Sequence, residues 1–311
     1  MADEPKHPPG MRDITHKVAS LRIATAKATV SMKPETVLAV RENLAPKGDP
    51  IAVARVAATI AAKHTPQFIP YCHPIPVDHV VVEFELRDSE IDCIVSVKTV
   101  YKTGVEVEAM AAASIGALNI YDLLKPIDDG IAIESVRLVS KVGGKTDWQS
   151  DDAFSFTVIT VSDRCSKGEQ ADISGITLVE GVETFGGILA TRSVVPDEAD
   201  QIQARVSEHI QKHAPNLIML TGGTGVGPRD KTFEALCNRF DLRLPGVEEH
   251  FRRYSQERVP TAMLSRCVAG VIGGTVVIAV PGSPKACKDA INCLFPAITH
   301  TFSMLKGKAH E

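Results

Sequence analysis

A glycine- and threonine-rich segment, TGGTGVGPRD at 221–230, directly follows the apolar run LIML at 217–220. A glycine-rich turn that leaves a strand lets backbone N–H groups approach a phosphate closely. The segment lacks the GK[ST] ending of a P-loop and the GxGxxG spacing of a dinucleotide fingerprint. The sequence therefore predicts a phosphate-binding loop that belongs to neither general nucleotide-binding class.

Two aspartates and a second glycine turn accompany this loop. Asp197 lies in VPDE (195–198), Asp230 ends the glycine-rich segment, and PGSPKA (281–286) follows another apolar run. Aspartates beside a phosphate can hold Mg²⁺ between phosphate oxygens. Simpler interpretations stay open, because Asp197 could cap the next helix and Ser283 could be the N-cap of the helix after PGSP.

The first half of the chain carries several weaker signals. Asp122 and Lys125 are three residues apart on a predicted helix and share a face, which by itself indicates an exposed ion pair worth about 0.2–0.5 kcal/mol. Lys47 could be a solvated loop lysine, and His73 could be a core histidine. Glu106 and Glu108 begin the same helix but are two residues apart, so we expect them to point to different faces.

The chain divides into two halves with different patterns. The polar, Pro-rich start predicts a disordered leader over 1–10, and the Gly-, Ser- and Asp-rich stretch near the middle predicts a linker at 149–153, between domains at 11–148 and 154–311. The first half shows helical spacing at 51–63 and 104–124 and strand-like runs at 79–87, 91–101 and 132–141. The sequence therefore predicts an α+β domain with helices over an antiparallel sheet.

The second half alternates strands and helices. Strand-like runs at 155–161, 190–195, 216–220 and 275–280 alternate with predicted helices at 173–185 and 197–212 and a helix after PGSP. This alternation predicts an α/β, doubly wound and mostly parallel sheet. Ligands of such sheets bind beyond the carboxyl ends of the strands, where the glycine loops fall.

The composition excludes several classes of function. The net charge of −4 argues against nucleic-acid binding, and no apolar run approaches the roughly 20 residues that span a membrane. The N-terminus lacks the pattern of a signal peptide. Seven scattered cysteines without a CxxC pair argue against disulfides, zinc and iron–sulfur clusters, and they favour a cytoplasmic protein.

In the first half, five motifs stand together in one order. The five motifs are KGD (47–49), IPYCHPIP (69–76), KTGVEVEA (102–109), YDLLK (121–125) and KVGGK (141–145). They resemble the cyclic pyranopterin monophosphate synthases, the MoaC family of molybdenum cofactor biosynthesis. The resemblance covers about residues 11–148. It implies a ferredoxin-like fold, a hexamer, and conversion of cyclic dihydroguanosine triphosphate to cyclic pyranopterin monophosphate plus pyrophosphate.

The implied substrate carries a triphosphate, which requires cationic side chains. The candidates are Arg22, Lys47, His73, Lys141 and Lys145. By the resemblance, Asp122 and Lys125 are the general acid/base pair, while Glu106 and Glu108 hold the guanine-derived ring or orient the lysines. A neighbouring carboxylate raises the pKa of a lysine, so burial or a second lysine would have to lower it for Lys125 to act as a base.

In the second half, VSDR (161–164), DISG (172–175), VPDE, TGGTGVGPRDKT (221–232), LPG (244–246) and PGSPKA resemble the molybdopterin-binding family of MogA, MoaB and gephyrin-like G domains. The resemblance covers about residues 154–306 and implies a trimer that binds molybdopterin and adenylylates it with Mg-ATP. It implies that Asp197 and Asp230 manage Mg²⁺ and catalysis, that Ser283 seats the pterin, and that the phosphate is cradled by Thr221, Gly222, Gly223, Thr224 and Gly225. Phe233 replaces the proline of the usual RDxTP motif, which removes a preference for starting a helix there.

The sequence therefore predicts a bifunctional enzyme with pterin substrates and a homo-oligomeric assembly. A hexamer built from two C-terminal trimers satisfies the symmetry of both families, because both contain a threefold axis. One alternative makes the C-terminal half a pterin-binding or oligomerisation module without turnover. A generic nucleotide-binding regulator is disfavoured, because the glycine loops match neither general nucleotide signature.

Overall fold

The computed structural model describes residues 9–144 and 153–307. The chain forms two compact units, Met1–Asp147 and Trp148–Glu311. Most of the predicted leader and linker lies outside the described residues, and so does Lys145. All seven cysteines are free thiols.

The N-terminal unit is a four-stranded antiparallel sheet with helices. Its strands are β1 (Ser20–Ser31), β2 (His79–Leu86), β3 (Glu90–Tyr101) and β4 (Ala132–Val142), in the order β2-β3-β1-β4. Its helices are α1 (Pro34–Arg41), α2 (Pro50–His64) and α3 (Glu106–Leu124). The predicted α+β class is confirmed, while the ferredoxin-like assignment stays a prediction. The prediction missed β1 and α1, and it began α3 two residues early because Gly104 precedes the helix rather than belonging to it.

Helix α3 lies on the sheet because small residues allow a close approach. Ala26 and Ala28 of β1 and Ala109, Ala112 and Ala113 of α3 are fully buried in one core. A Cβ at Gly116 would lie 2.6 Å from Cys93 Sγ of β3 and 3.4 Å from Ala58 Cβ of α2. Helix α3 is also long and apolar enough to cross a membrane by length and composition alone, but half of that window is buried inside the unit. Its apolar character is that of a core helix.

The C-terminal unit is built on a six-stranded mixed sheet. Its strands are β5 (Phe154–Val161), β6 (Gly187–Val195), β7 (Leu217–Thr221), β8 (Leu242–Arg243), β9 (Val268–Ile272) and β10 (Thr275–Val280). The order is β6-β5-β7-β10-β9-β8; the first four strands are parallel, and β9 and β8 are added antiparallel. Its helices are α4 (Asp163–Ser166), α5 (Ile173–Glu183), α6 (Ala199–His213), α7 (Thr232–Leu236), α8 (Pro245–Gln256), α9 (Pro284–Leu294) and α10 (His300–Leu305).

The predicted mostly parallel α/β sheet is confirmed, with one correction at its edge. The prediction missed two strands, β8 and β9, and four helices, α4, α7, α8 and α10. Strand β9 turns into β10 through Gly273 and Gly274, whose φ angles of 56° and 82° are both positive. Two glycines between two apolar runs are a recognised hairpin signal, so the antiparallel edge was readable from VAGVIGGTVV.

We expect Gly116→Ala to destabilise the N-terminal unit by about 1–2 kcal/mol, because overpacking against Cys93 outweighs the gain in helix propensity. The substitution Cys93→Ala removes the sulfur, so Gly116→Ala should cost less in that background. Urea denaturation of the four proteins of this double-mutant cycle measures the coupling. Additive effects of the two substitutions would contradict the close approach.

Candidate functional sites

The C-terminal unit holds a cavity of about 700 Å³ at the carboxyl ends of β5, β7 and β10. Apolar side chains such as Phe251 and Leu264 form part of its wall. The eight residues that the sequence predicted to bind ligand or metal in this half all line the same cavity: Asp197, Thr221, Gly222, Gly223, Thr224, Gly225, Asp230 and Ser283. The topology explains this gathering, because parallel strands bring the loops after them to one edge of the sheet.

The glycine-rich loop passes close to its neighbours. Gly222 has a φ of 107°, and a Cβ there would overlap the carbonyl oxygen of Val161. Its N–H donates to the carbonyl of Val280 at 3.0 Å, and its carbonyl accepts from Thr232 Oγ1 at 2.8 Å. A Cβ at Gly282 of the PGSP turn would lie 3.1 Å from Gly222 Cα. The two glycine turns therefore fit together only without side chains.

The contacts of Thr232 show how helix α7 begins without the proline of the usual RDxTP motif. Helix α7 begins at Thr232 although Phe233 follows it, and the Thr232 N–H donates to the carbonyl of Gly223 at 3.0 Å. The threonine thus closes the loop onto its own helix without the proline.

Asp197 lies in a concentration of negative charge. Asp163 N–H donates to Asp197 Oδ2 at 2.9 Å, and Asp197 N–H donates to Asp163 Oδ1 at 3.1 Å. Burial and the charges of Asp163 and Asp230 raise the pKa of Asp197. The alternative that Asp197 caps α6 is wrong, because the N-cap position is Glu198 and the Asp197 carboxylate bonds Asp163 instead.

Asp230 is a further carboxylate in the lining of this cavity. Asp230 Oδ2 accepts from Gly227 N–H at 2.7 Å, and its charge acts on Asp197 across the loop. Over residues 9–144 and 153–307, no group of three or more His, Cys, Asp or Glu side chains is arranged to hold a metal ion. Two carboxylates completed by substrate phosphates and water are what Mg²⁺ commonly uses.

Ser283 is an N-cap, as one reading of PGSP anticipated. Its Oγ accepts from Ala286 N–H at 3.1 Å at the start of α9. Ser174 Oγ donates to the carbonyl of Gly282 at 2.6 Å and holds the turn in place. Because the cap uses only an acceptor site of Ser283, its hydroxyl proton is still able to donate to a ligand.

Arg229, which directly precedes Asp230 in the PRD motif, was not predicted from the sequence as a site residue. Its guanidinium donates to both oxygens of Asp163, at 3.1 and 3.0 Å, and to Glu198 Oε1 at 2.7 Å. The three loops SDR, PDE and PRD are thus tied by one forked donor. The signal was present in the PRD motif, but only the fold brings its partners together.

In the N-terminal unit, one group of predicted residues lies at the C-terminal end of α3. Gly48 has a φ of 94° and Asp49 caps α2, so the KGD motif projects Lys47 toward α3. Lys47 Nζ is 3.2 Å from Asp122 Oδ2, and Lys125 Nζ is 2.7 Å from Asp122 Oδ1. The hydrogen bond and charge of Asp122 raise the pKa of Lys125. Within the single chain, the pKa of Lys125 is therefore not lowered, as it would have to be for this lysine to act as a base.

A second group lies at the N-terminal end of α3. Lys141 Nζ is 3.1 Å from Glu106 Oε1. Glu108 is only 1% exposed and accepts from Cys72 Sγ at 3.1 Å, so the two glutamates have different partners, as their spacing predicts. His73 Nε2 lies 2.7 Å from the carbonyl of Arg12, so its ring contacts the segment before β1 rather than a closed core.

Arg22 joins this second group through the glycines of the GGK motif. Gly143 and Gly144 have φ angles of 108° and 109°, and a Cβ at Gly144 would lie 2.6 Å from Arg22 Nη1. Lys17 was missed by sequence reading because no motif surrounds it. Burial and the charges of Arg12 and Arg22 lower its pKa.

The two groups do not meet within one chain. Glu106 and Asp122 lie sixteen residues apart on one helix, which separates them by about 24 Å. The resemblance assigns all these residues to one substrate, and the length of the helix places them at opposite ends of α3. A small substrate cannot touch both groups of the same chain.

Comparisons with known proteins agree with the division of the chain into two units. The MoaC family profile matches residues 11–144, and the profile described as "Probable molybdopterin binding domain" matches residues 157–300. A "Molybdenum cofactor biosynthesis bifunctional protein" of Chlorobaculum tepidum is 41% identical over 300 residues, covering 96% of both chains. One of Synechococcus elongatus is 36% identical over 316 residues, covering 96% of this chain and 98% of the relative. A "Cyclic pyranopterin monophosphate synthase" of Thermomicrobium roseum is 44% identical over 147 residues, covering 46% of this chain and 87% of the relative.

The fold and the two matches define a two-domain protein with a MoaC-family domain followed by a molybdopterin-binding-family domain. The similarity to the Chlorobaculum tepidum protein extends over nearly the whole of both chains. The chain therefore belongs to the family of bifunctional molybdenum cofactor biosynthesis proteins, and both resemblances drawn from the sequence are confirmed.

We expect Gly222→Ala to destabilise the C-terminal unit by about 3 kcal/mol or more, because the new Cβ overlaps the Val161 carbonyl as well as straining a positive φ. Gly168→Ala is the matched control, since Gly168 has a φ of 74° but nothing within 4 Å of an added Cβ. The control should show only the backbone cost of about 1 kcal/mol. Equal losses in thermal unfolding would refute the close approach.

Proposed function

We propose that the chain catalyses two reactions of molybdenum cofactor biosynthesis. The N-terminal domain converts cyclic dihydroguanosine triphosphate to cyclic pyranopterin monophosphate plus pyrophosphate. The C-terminal domain binds molybdopterin and transfers AMP to it from Mg-ATP. The observation that supports this best is the gathering of both glycine turns and both aspartates on one cavity of the C-terminal unit.

In the C-terminal cavity, the glycine-rich loop offers backbone N–H groups to phosphate oxygens. Asp197 and Asp230 would hold Mg²⁺, which when bound supplies charge neutralisation for adenylyl transfer. Arg229 keeps Asp163 and, through the reciprocal hydrogen bonds, Asp197 in place. The Ser283 hydroxyl is free to donate to the pterin.

In the N-terminal domain, Arg22, Lys141 and His73 would bind the triphosphate. Asp122 raises the pKa of Lys125, so the ammonium holds a proton that Lys125 would donate as the general acid, with Asp122 as its partner. Because about 24 Å separates Asp122 from Glu106 in one chain, a second copy must bring the missing group. This requirement supports the homo-oligomer expected from the sequence, for which we propose a hexamer built from two C-terminal trimers.

A second candidate function is that the C-terminal domain only binds pterin or organises the oligomer. Two local contacts favour it: Asp230 Oδ2 already accepts from Gly227, and Ser283 Oγ already caps α9. Both side chains therefore have a structural role that is independent of turnover.

Asp230→Asn should lower AMP transfer from Mg-ATP to molybdopterin by about 100-fold or more, because a charge that stabilises the transition state is lost. Asp241→Asn is the matched control. Asp241 Oδ2 accepts from Gly273 N–H at 2.7 Å, as Asp230 does from Gly227, but it lies outside the cavity lining. Tight molybdopterin binding without turnover in the wild-type chain would establish the binding module instead.

Mixing two inactive variants tests whether a second copy completes the N-terminal site. Lys125→Ala and Lys141→Ala remove groups at opposite ends of α3, so each alone should lose cyclic pyranopterin monophosphate synthesis. Co-expressed chains that pair at random should regain about a quarter of wild-type activity, because half the pairs are mixed and each has one intact site.

The control pairs Lys125→Ala with Asp122→Asn, which damages the same end and should regain nothing. Full turnover by Lys125→Ala alone would end its role in catalysis. No recovery in the first mixture, with both variants folded and assembled, would contradict a site shared between copies.

A further inference from the structure

Arg266 lies behind the glycine-rich loop and bonds three of its carbonyl groups. Its backbone N–H donates to Thr224 O at 2.8 Å, Nε donates to Gly225 O at 2.7 Å, and Nη2 donates to Asp230 O at 2.8 Å. The guanidinium is itself fixed, because Nη1 bonds the Glu234 carboxylate and Cζ lies 5.6 Å from the ring centroid of Phe233. The Arg266 side chain thus bonds Gly225 and Asp230, which are the two ends of the segment 225–230.

These contacts fix the direction of the loop's N–H groups. In a trans peptide, the N–H points opposite to the preceding carbonyl. The carbonyls of Thr224 and Gly225 face Arg266, so the N–H groups of Gly225 and Val226 face away from it. Within residues 153–307, these two N–H groups donate to no protein acceptor. Gly225 and Val226 line the cavity, whereas Arg266 does not.

We infer that Arg266 is the positioning residue that orients this loop for anion binding. With the carbonyls turned back, two adjacent N–H groups face the cavity and form a site for a phosphate oxygen. The hydrogen bond from Arg266 to the Asp230 carbonyl also fixes the position of the Asp230 carboxylate. That the bound anion is a nucleotide phosphate rests on the proposed adenylyl transfer, while the orientation of the loop does not.

Arginine is required for this role by geometry. Its planar guanidinium presents several donors at once and can hold Gly225, Asp230 and Glu234 together. Lysine keeps the charge, but its ammonium is a single compact donor centre on a flexible chain. The conservative substitution Arg266→Lys therefore separates the forked contact from the charge.

The test uses the full-length chain with Arg266→Lys and Arg266→Met. Mg-ATP binding is measured by titration calorimetry, and backbone amide exchange is followed by mass spectrometry in the 221–231 segment. We expect both variants to weaken Mg-ATP binding about tenfold or more and to speed exchange in that segment, because each loses hydrogen bonds from a charged donor.

Arg252→Lys is the matched control. Arg252 Nη1 donates to the Cys267 carbonyl at 3.1 Å and pairs with Glu248, and its side chain is 28% exposed against 29% for Arg266. Arg252 touches no part of the loop in these contacts. We expect this variant to keep wild-type Mg-ATP affinity and wild-type exchange in the 221–231 segment.

Wild-type exchange in the 221–231 segment of Arg266→Lys would overturn the inference, and so would equal changes in Arg252→Lys. A wild-type chain that binds no Mg-ATP would count against the proposed adenylyl transfer. In that case the exchange measurement alone still decides whether Arg266 orients the loop.

Discussion

Close backbone approach at glycine is the constraint on which the rest of this structure depends. At Gly116 it brings α3 onto β3 and α2, so that one helix sets the positions of both groups of charged residues in the N-terminal unit. At Gly222 and Gly282 it lets the two turns after β7 and β10 meet at one edge of the sheet. A methyl group at any of these positions would push apart elements that carry the candidate sites.

The two units handle charge differently. In the C-terminal unit, Arg229 pairs with Asp163, while burial and the charges of Asp163 and Asp230 raise the pKa of Asp197. In the N-terminal unit, one carboxylate at each end of α3 has a lysine within ion-pair distance, as Asp122 has Lys125 and Glu106 has Lys141. The first arrangement suits a cation that arrives with its ligand, whereas the second suits an anion that displaces lysines from their partners.

Sequence reading succeeded where a local pattern has a single structural solution. The predicted strand at 155–161 and the predicted helix at 51–63 have a clear hydrophobic period. Their bounds match those of β5 and α2 to within one residue at each end. It failed for β1, because alternating Ala and Thr in SLRIATAKATVS gives weak hydrophobic contrast. It also failed for β8, which has two residues and exists only by pairing with β9. Arg229 and Arg266 were missed because their partners are distant in sequence.

The sequence by itself determined the two domains, their families, and the residue types at both candidate sites, because motif order and spacing are local properties of the chain. Only the tertiary structure decided which of those residues meet. It joined Asp197, Asp230 and Ser283 on one cavity, because parallel strands end at one edge. It separated Glu106 from Asp122 by the length of α3, because a helix rises by a fixed amount per residue.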